Sequence, residues 1–283
     1  MRSWLANYAM QSAASLDDAL GVLSREPGKW TPFAGGTDIM VLLEAGRLSK
    51  QNFLNIWGVP GLRAITYSPD SVTIGALATY SDILAHSIVQ SEFSLLCAAA
   101  RETGALAIQN RGTIGGNIAN ASPAADVPPA LLVYDATLEL ASLRGRRQVD
   151  YVRFHTGYKQ MDLAPDELIV SISLPRGRSA WTQVYRKVGT RRAQAISKVC
   201  FAAAADIQDG SVRDVRIALG SVAPTVIRAA AAEAALRGRP LGPDTIRTAR
   251  AALARDISPI DDIRSTAAYR HMVAGNLLEG FLS

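Results

Sequence analysis

The chain carries Phe33-Ala-Gly-Gly-Thr-Asp38 near its start and Gly112-Thr-Ile-Gly-Gly-Asn117 further along, two segments that we call the first and the second glycine loop. Glycine permits positive φ angles and lets a ligand approach the main chain closely. Successive N–H groups in such a loop can converge on an anion. The two loops predict an anion-binding site, although a single Gly-Gly pair also occurs in ordinary turns.

The side chains of both loops favour a phosphate held by neutral donors. Thr37, Thr113 and Asn117 offer hydroxyl and amide groups, and neither loop contains a lysine or an arginine. The sequence lacks the familiar nucleotide motifs Gly-x-Gly-x-x-Gly and Gly-x-x-x-x-Gly-Lys-Ser/Thr. A dinucleotide would therefore be bound in another way.

The first glycine loop lies inside a predicted β-loop-α-β unit. A strand at residues 30–34 runs into the loop, a helix or buried segment follows at 39–43, and a second strand comes at 52–56. Upstream, Ser15 and Asp18 match a capping box at the start of a helix.

The rest of the chain divides into a mixed middle and an α+β end. Turn formers at 68–71 and 208–211 predict two hairpins. Small residues and turn formers predominate at 104–129, and a loop of that length is usually functional. Periodicity predicts the remaining elements: strands at 64–67, 72–75, 137–141, 167–174, 181–188, 199–207 and 212–219, and helices at 81–89, 93–103, 130–134, 229–236, 243–254 and 266–278.

Length and composition indicate a globular protein of two domains. The chain has 283 residues, of which 48% are hydrophobic and 19% charged. No apolar run is long enough to span a bilayer. Residues 1–10 lack the apolar core of a signal peptide, so we expect a cytoplasmic protein.

The charged and metal-binding residue types exclude several function classes. The net charge is +5, but the arginines are scattered and the densest group, at 144–147, is predicted in a turn. This argues against nucleic-acid binding and favours a solvated surface or a patch facing an acidic partner. Cys97 and Cys200 are too few for an iron–sulfur cluster and are predicted to be buried. The three histidines have no metal-ligand spacing.

The sequence shows no nucleophile elbow and no evident acid–base pair, so we expect a bound cofactor to carry the chemistry. Asp126 is a carboxylate within a small, apolar run after the second glycine loop. The pattern leaves two interpretations of Asp126 open. It is either the N-cap of the following helix or a hydrogen-bond acceptor for a ligand hydroxyl.

These residues resemble the FAD-binding subunits of molybdenum hydroxylases of the xanthine dehydrogenase and carbon monoxide dehydrogenase type. The resemblance extends in order along essentially the whole chain. Its motifs are Phe33-Ala-Gly-Gly-Thr-Asp38, Thr113-Ile-Gly-Gly-Asn-Ile-Ala-Asn-Ala-Ser-Pro-Ala-Ala-Asp126, Pro165-Asp-Glu-Leu-Ile169, Tyr185-Arg-Lys-Val-Gly-Thr-Arg-Arg192, Ile196-Ser-Lys-Val199, Ala218-Leu-Gly-Ser-Val-Ala-Pro224, Asp262-Ile-Arg-Ser-Thr266 and Tyr269-Arg270.

The resemblance implies an α+β fold of two FAD-binding subdomains of the vanillyl-alcohol oxidase and MurB type. These would occupy about residues 1–56 and 57–177, with their boundary within 46–57. A C-terminal domain at 178–283 would contain a three-stranded antiparallel sheet and a helical bundle.

The resemblance also implies which residues of this chain contact FAD. Asp126 would bind a cofactor hydroxyl, Ile169 would lie near the flavin ring through its backbone, and Lys187 would stabilise the reduced flavin at its carbonyl edge. Phe33 and Ser122 belong to the same implied contacts. The residues implied around the pyrophosphate are Ala34, Gly35, Gly36, Thr37, Asp38 and Ile39, with Thr113, Ile114, Gly115, Gly116 and Asn117.

Such a subunit receives electrons from [2Fe-2S] clusters on a small partner, which a molybdopterin-containing large partner reduces. It passes them to NAD+ or another acceptor, within a dimer of heterotrimers. Residues 189–195 lack the aromatic residue that some relatives place beside the flavin, and Arg191 and Arg192 resemble the purine-oxidising branch. A self-contained flavin oxidoreductase and a flavin-free assembly subunit are the alternatives.

Overall fold

The computed structural model describes residues 8–191 and 194–283. Its strands are β1 (Ala9–Ser12), β2 (Thr31–Phe33), β3 (Asn52–Asn55), β4 (Ile65–Tyr67), β5 (Ser71–Gly75), β6 (Thr137–Ser142), β7 (Gly145–Asp150), β8 (His155–Gly157), β9 (Gln160–Met161), β10 (Leu168–Pro175), β11 (Thr182–Val188), β12 (Val199–Gln208), β13 (Ser211–Gly220) and β14 (Ile227–Arg228). Its helices are α1 (Leu16–Arg25), α2 (Thr37–Glu44), α3 (Tyr80–Ala85), α4 (Ser87–Glu92), α5 (Ser94–Glu102), α6 (Leu106–Gln109), α7 (Ile114–Ala119), α8 (Pro128–Val133), α9 (Tyr151–Phe154), α10 (Ala230–Leu236), α11 (Pro243–Asp256) and α12 (Ala267–Leu282).

The N-terminal strands form a parallel sheet in the order β1-β3-β2. The predicted β-loop-α-β unit is confirmed as β2, α2 and β3, with Phe33 opposite Asn55 in parallel register. The predicted N-cap is also confirmed, because the side chain of Ser15 accepts from the Asp18 amide at the start of α1. Helix α1 buries its apolar face against Leu54 of β3 and against residues of the five-stranded sheet described next.

The middle of the chain forms a five-stranded sheet in the order β4-β5-β10-β6-β7. All its pairings are antiparallel, and β4 and β5 form the predicted hairpin. Helices α3, α5, α7 and α8 contribute to the core that covers this sheet. Strand β10 lies at the centre of this sheet, and Ile169 near its start pairs with Leu140 of β6.

The C-terminal strands form an antiparallel sheet in the order β11-β12-β13-β14. Alternate residues of β12 enter two different cores, since a strand directs successive side chains to opposite faces. Cys200 and Ala202 join the core of the middle sheet, whereas Phe201 and Ala203 join the core with α10, α11 and α12. The alanine run of β12 therefore packs on both faces at once.

Four predictions need correction. The helix predicted at 81–89 is two helices, because His86 adopts an extended conformation between α3 and α4. The region 104–129 contains the short helices α6 and α7. Arg146 and Arg147 lie in β7 rather than in a turn, paired with Ala141 and Leu140 of β6. The predicted three-stranded C-terminal sheet gains a fourth strand, the two-residue β14. Among the residues described, no helix has the length and apolar character needed to cross a membrane.

Candidate functional site

A cavity of about 500 Å³ lies between the two glycine loops. Residues of β2, α2, α7 and the start of β10 line it, together with a segment that follows β9. The predicted site residues among its walls are Ala34, Gly35, Gly36, Thr37, Asp38, Ile39, Thr113, Gly115, Gly116, Asn117 and Ile169.

The two loops meet because their glycines carry no side chains. A Cβ atom on Gly35 would lie 1.7 Å from the carbonyl oxygen of Arg111, directly before the second loop. Similarly, a Cβ on Gly115 would lie 2.7 Å from the Cβ of Ala76. These glycines therefore permit main-chain contacts that any other residue would prevent.

The first glycine loop leaves the start of α2 without a side-chain cap. Gly36 is the N-cap residue, with φ of 76°, and makes no side-chain hydrogen bond. The first N–H groups of a helix have no partners within the helix, so an uncapped start offers donors to a ligand. In the second loop, by contrast, the Thr113 hydroxyl accepts from the Gly116 amide at 3.1 Å.

One polar side-chain atom of the cavity wall makes no hydrogen bond to the described residues. Oδ1 of Asn117 is buried and has no hydrogen bond within residues 8–191 and 194–283. Asp38 lines the same cavity, where burial raises the pKa of its carboxyl and the charge of Lys159 opposes that rise. The cavity thus combines the uncapped main-chain N–H groups at the start of α2, walls in which glycines leave the main chain accessible, and an acceptor oxygen without a hydrogen bond. This set fits an extended ligand that carries both phosphates and hydroxyls.

Asp126 and Lys187 form a buried ion pair outside the walls of this cavity. Lys187 Nζ lies 2.7 Å from Asp126 Oδ2 and donates to the carbonyl oxygen of Glu102 at 3.0 Å. Burial raises the pKa of Asp126 to about 6, while Lys187 acts against that rise. Oδ1 of Asp126 is buried without a hydrogen-bond partner in the described part of the chain.

The interpretation of Asp126 as a helix N-cap is wrong. Helix α8 has Val127 as its N-cap residue and no side-chain cap. Of the other predicted contacts, Ser122 accepts from the Ala124 amide at 3.3 Å, and Ile114, within the second loop, is fully buried. The Phe33 ring faces Gly36, because a Cβ there would meet it at 2.5 Å.

Sequence patterns missed the wall that comes from distant parts of the chain. Trp30, Lys50, Met161 and Leu163 also line the cavity. Trp30 begins the predicted strand that runs into the first glycine loop but was not predicted as a site residue. Lys50, Met161 and Leu163 belong to no local motif, and only the Pro165 to Ile169 motif pointed to their region. Cys97 and Cys200 are buried and free, as predicted. The structure shows no metal-binding cluster of His, Cys, Asp or Glu within residues 8–191 and 194–283. Arg192, which resembles the purine-oxidising branch, lies outside the residues that the structure describes.

Two known families match the chain in sequence. The FAD binding domain in molybdopterin dehydrogenase matches residues 6–177, and the CO dehydrogenase flavoprotein C-terminal domain matches residues 184–283. The chain belongs to the FAD-binding subunits of the molybdopterin dehydrogenases.

Relatives of this flavoprotein subunit serve different dehydrogenases. The chain is 33% identical to the xanthine dehydrogenase FAD-binding subunit of Escherichia coli, over 92% of this chain and 90% of the relative. It is also 33% identical to the glyceraldehyde dehydrogenase medium chain of Sulfolobus acidocaldarius, over 94% of each.

A solved structure shares the fold of this FAD-binding subunit. Carbon monoxide dehydrogenase from Hydrogenophaga pseudoflava, in a form lacking the Mo-pyranopterin moiety of its molybdenum cofactor, contains a chain that matches with a TM-score of 0.92. The identity is 29%, and the match covers 97% of this chain and 95% of the other. The predicted family and α+β fold are therefore confirmed.

Proposed function

We propose that this FAD-binding subunit holds one FAD in the cavity between the glycine loops. The observation that carries the proposal is the abutment of the two loops around free main-chain donors, beside the unpartnered Oδ1 of Asn117. Residues 34–39 and 113–117 would surround the pyrophosphate. Asp126 would accept from a cofactor hydroxyl through its free Oδ1.

Bound FAD supplies the exchange of electrons between a donor and an acceptor. The chain's own residues bind and orient it. Glycine-sized walls admit the pyrophosphate to the main chain, and the uncapped start of α2 offers N–H donors. Ile169 would place its backbone near the ring. Lys187, held by Asp126 and the Glu102 carbonyl, would provide a fixed positive charge near the carbonyl edge of the flavin.

We further propose that the subunit transfers electrons within a larger complex. They would come from [2Fe-2S] clusters on a small partner, which a molybdopterin-containing large partner reduces, and would pass to NAD+ or another acceptor. The relatives named for xanthine and for glyceraldehyde are equally similar to this chain. This similarity supports the view that another subunit selects the substrate, which we propose to be a purine, another N-heterocycle or an aldehyde. A dimer of heterotrimers is the assembly we propose.

The test is to purify the chain alone and with its two partners. We expect one FAD per isolated chain, no oxidation of xanthine or aldehydes by it, and substrate-dependent NAD+ reduction only after both partners are added. Substrate turnover by the isolated chain would instead indicate a self-contained oxidoreductase. A colourless chain that refuses added FAD would indicate an assembly subunit.

A further inference from the structure

Lys159 places a positive charge beside Asn120, a residue of the cavity wall, from outside both glycine loops. It lies at the turn between β8 and β9, where its Nζ donates to Oδ1 of Asn120 at 2.7 Å and to the Asn120 carbonyl oxygen. Asn120 follows α7 directly and lines the cavity with Gly116 and Asn117. The lysine thus reaches the second glycine loop from a distant part of the sequence.

Among the described residues, the charge of Lys159 has no direct ion-pair partner. Its two acceptors are neutral oxygens, and no carboxylate in residues 8–191 and 194–283 lies within 4.0 Å of its Nζ. Desolvation lowers the pKa of Lys159, although the residue as a whole is exposed, and the charge of Asp38 opposes this. A partly desolvated ammonium without a paired carboxylate favours the arrival of an anion.

The hairpin that carries Lys159 is fixed to the second glycine loop. His155 in β8 pairs with Met161 in β9, and His155 Nε2 lies 2.9 Å from the carbonyl oxygen of Ile118 in α7. Lys159 itself has φ of 57°, a conformation uncommon for residues other than glycine. Met161 and Leu163, just beyond the turn, line the cavity. The hairpin and α7 therefore form one wall that holds the ammonium in place.

Asp38 adds an acidic side chain to the cavity wall. It places a carboxylate in the first turn of α2, on the same cavity that would receive a pyrophosphate. Like charges repel, and a cation near the cavity wall would offset the repulsion between Asp38 and a pyrophosphate. Neither glycine loop contains a lysine or an arginine. Among the described residues, a cation from another segment would have to be Lys50, which lines the cavity, or Lys159, which lies beside the lining residue Asn120.

We propose that Lys159 is a cation that pairs with the phosphates of the FAD bound between the glycine loops. This inference rests on the proposed FAD site and adds a residue to it. Asn120 would orient the ammonium through its two oxygens, while the main-chain donors of the loops bind the remaining phosphate oxygens.

The experiment measures FAD binding to the flavin-depleted chain by calorimetry, at low and high salt, with ADP as a second ligand. Lys159→Gln keeps a donor for Asn120 but removes the charge. Arg247→Gln is the control, because it removes one charge from an exposed position on α11. We expect Lys159→Gln to weaken FAD and ADP binding about tenfold and to reduce the salt dependence. Lys159→Arg should restore most of the affinity.

The outcomes separate this inference from the proposed function. FAD binding by Lys159→Gln with wild-type affinity and salt dependence would overturn the role of Lys159 and leave the FAD site intact. An equal loss in Lys159→Arg, or in Arg247→Gln, would also overturn it, because the position of the charge would then not matter. Failure of the wild-type chain to bind FAD would overturn the proposed function itself.

Discussion

Lys187 Nζ lies 2.7 Å from Oδ2 of Asp126, although 61 positions separate the two residues. Lys187 comes from β11, and Asp126 lies between the second glycine loop and α8. Their side chains are 5% and 13% exposed. The pair therefore joins the C-terminal sheet to the segment that follows the second glycine loop. Oδ1 of Asp126 has no hydrogen-bond partner among the described residues.

The first prediction concerns the pH dependence of stability at Asp126. Burial raises its pKa from 3.8 to about 6, so the folded chain holds this proton more tightly than the unfolded chain. The unfolding free energy of the flavin-free wild type, relative to Asp126→Asn, should therefore fall as pH rises from about 4 to about 6 and then level off. The fall is at most about 3 kcal/mol, since one pKa unit corresponds to about 1.4 kcal/mol. Urea unfolding across this range measures it, and a pH-independent difference would contradict the assignment.

The second prediction concerns Gly116. A Cβ atom there would lie 2.8 Å from Oγ1 of Thr113, so Gly116→Ala must displace the hydroxyl that caps α7 on the cavity wall. We expect the variant to fold but to lose FAD content at least about tenfold. Flavin absorbance per chain measures the content, and circular dichroism checks the fold. Gly58→Ala is the control, because a Cβ at Gly58 meets no atom within 4 Å. Stoichiometric FAD in Gly116→Ala would disprove the placement.

Local patterns were sufficient for most of the fold. The hairpin at 208–211, the capping of α1 by Ser15 and the unit around the first glycine loop all depend on residues close in sequence. Strand β14 and the break at His86 were not predictable in this way. The two residues of β14 gain their strand conformation by pairing with β13, and His86 turns the chain between two short helices.

The candidate site, too, was predictable only where it depends on residues that are close in sequence. Glycine pairs indicate that another group approaches the main chain closely, so both loops were predicted from the sequence. Met161 lines the cavity, and Lys159 contacts Asn120 of the cavity wall, because β8 packs against α7. No local pattern encodes that contact. The partnership of Asp126 with Lys187 is also a long-range contact. The resemblance implied that Asp126 and Lys187 each lie near the cofactor, but it did not imply that they form an ion pair with each other.

The third prediction concerns Asp135, whose carboxylate forms salt bridges with three arginines. Arg178, Arg216 and Arg228 all form salt bridges with its carboxylate. Burial alone would raise the pKa of Asp135, but these arginines lower it. We expect Asp135→Asn to destabilise the protein by about 1–3 kcal/mol near neutral pH, because three cations lose their shared partner. This difference should shrink as pH falls towards the lowered pKa of Asp135.

The Asp135 experiment has a matched control. Asp244→Asn removes the same charge from a carboxylate that also pairs with an arginine, Arg247, but is 91% exposed. It should change the unfolding free energy by less than about 0.5 kcal/mol. Asparagine also tolerates the φ of 50° at position 135, so backbone strain does not confuse the result. Equal effects of the two substitutions in urea unfolding would show that the three arginines add nothing.

The fourth prediction compares two arginines on one carboxylate. Arg270 is 3% exposed and donates to Oδ1 of Asp262 at 2.8 Å, and to the carbonyl oxygens of Lys198 and Ser221 at 3.1 and 2.7 Å. Arg264 donates to the other oxygen of Asp262 at 2.9 Å but is 40% exposed. A lysine cannot reproduce the planar fork of donors that Arg270 uses.

Arg270→Lys should therefore destabilise the chain by about 2–4 kcal/mol, because buried acceptors lose their donors. Arg264→Lys should cost less than about 1 kcal/mol, since water replaces its contact. Urea unfolding at neutral pH compares the two variants with the wild type. Equal destabilisation would mean that the ion pair with Asp262 alone determines the effect. A larger effect of Arg270→Lys would locate the difference in the carbonyl contacts that tie α12 to the segments before β12 and after β13.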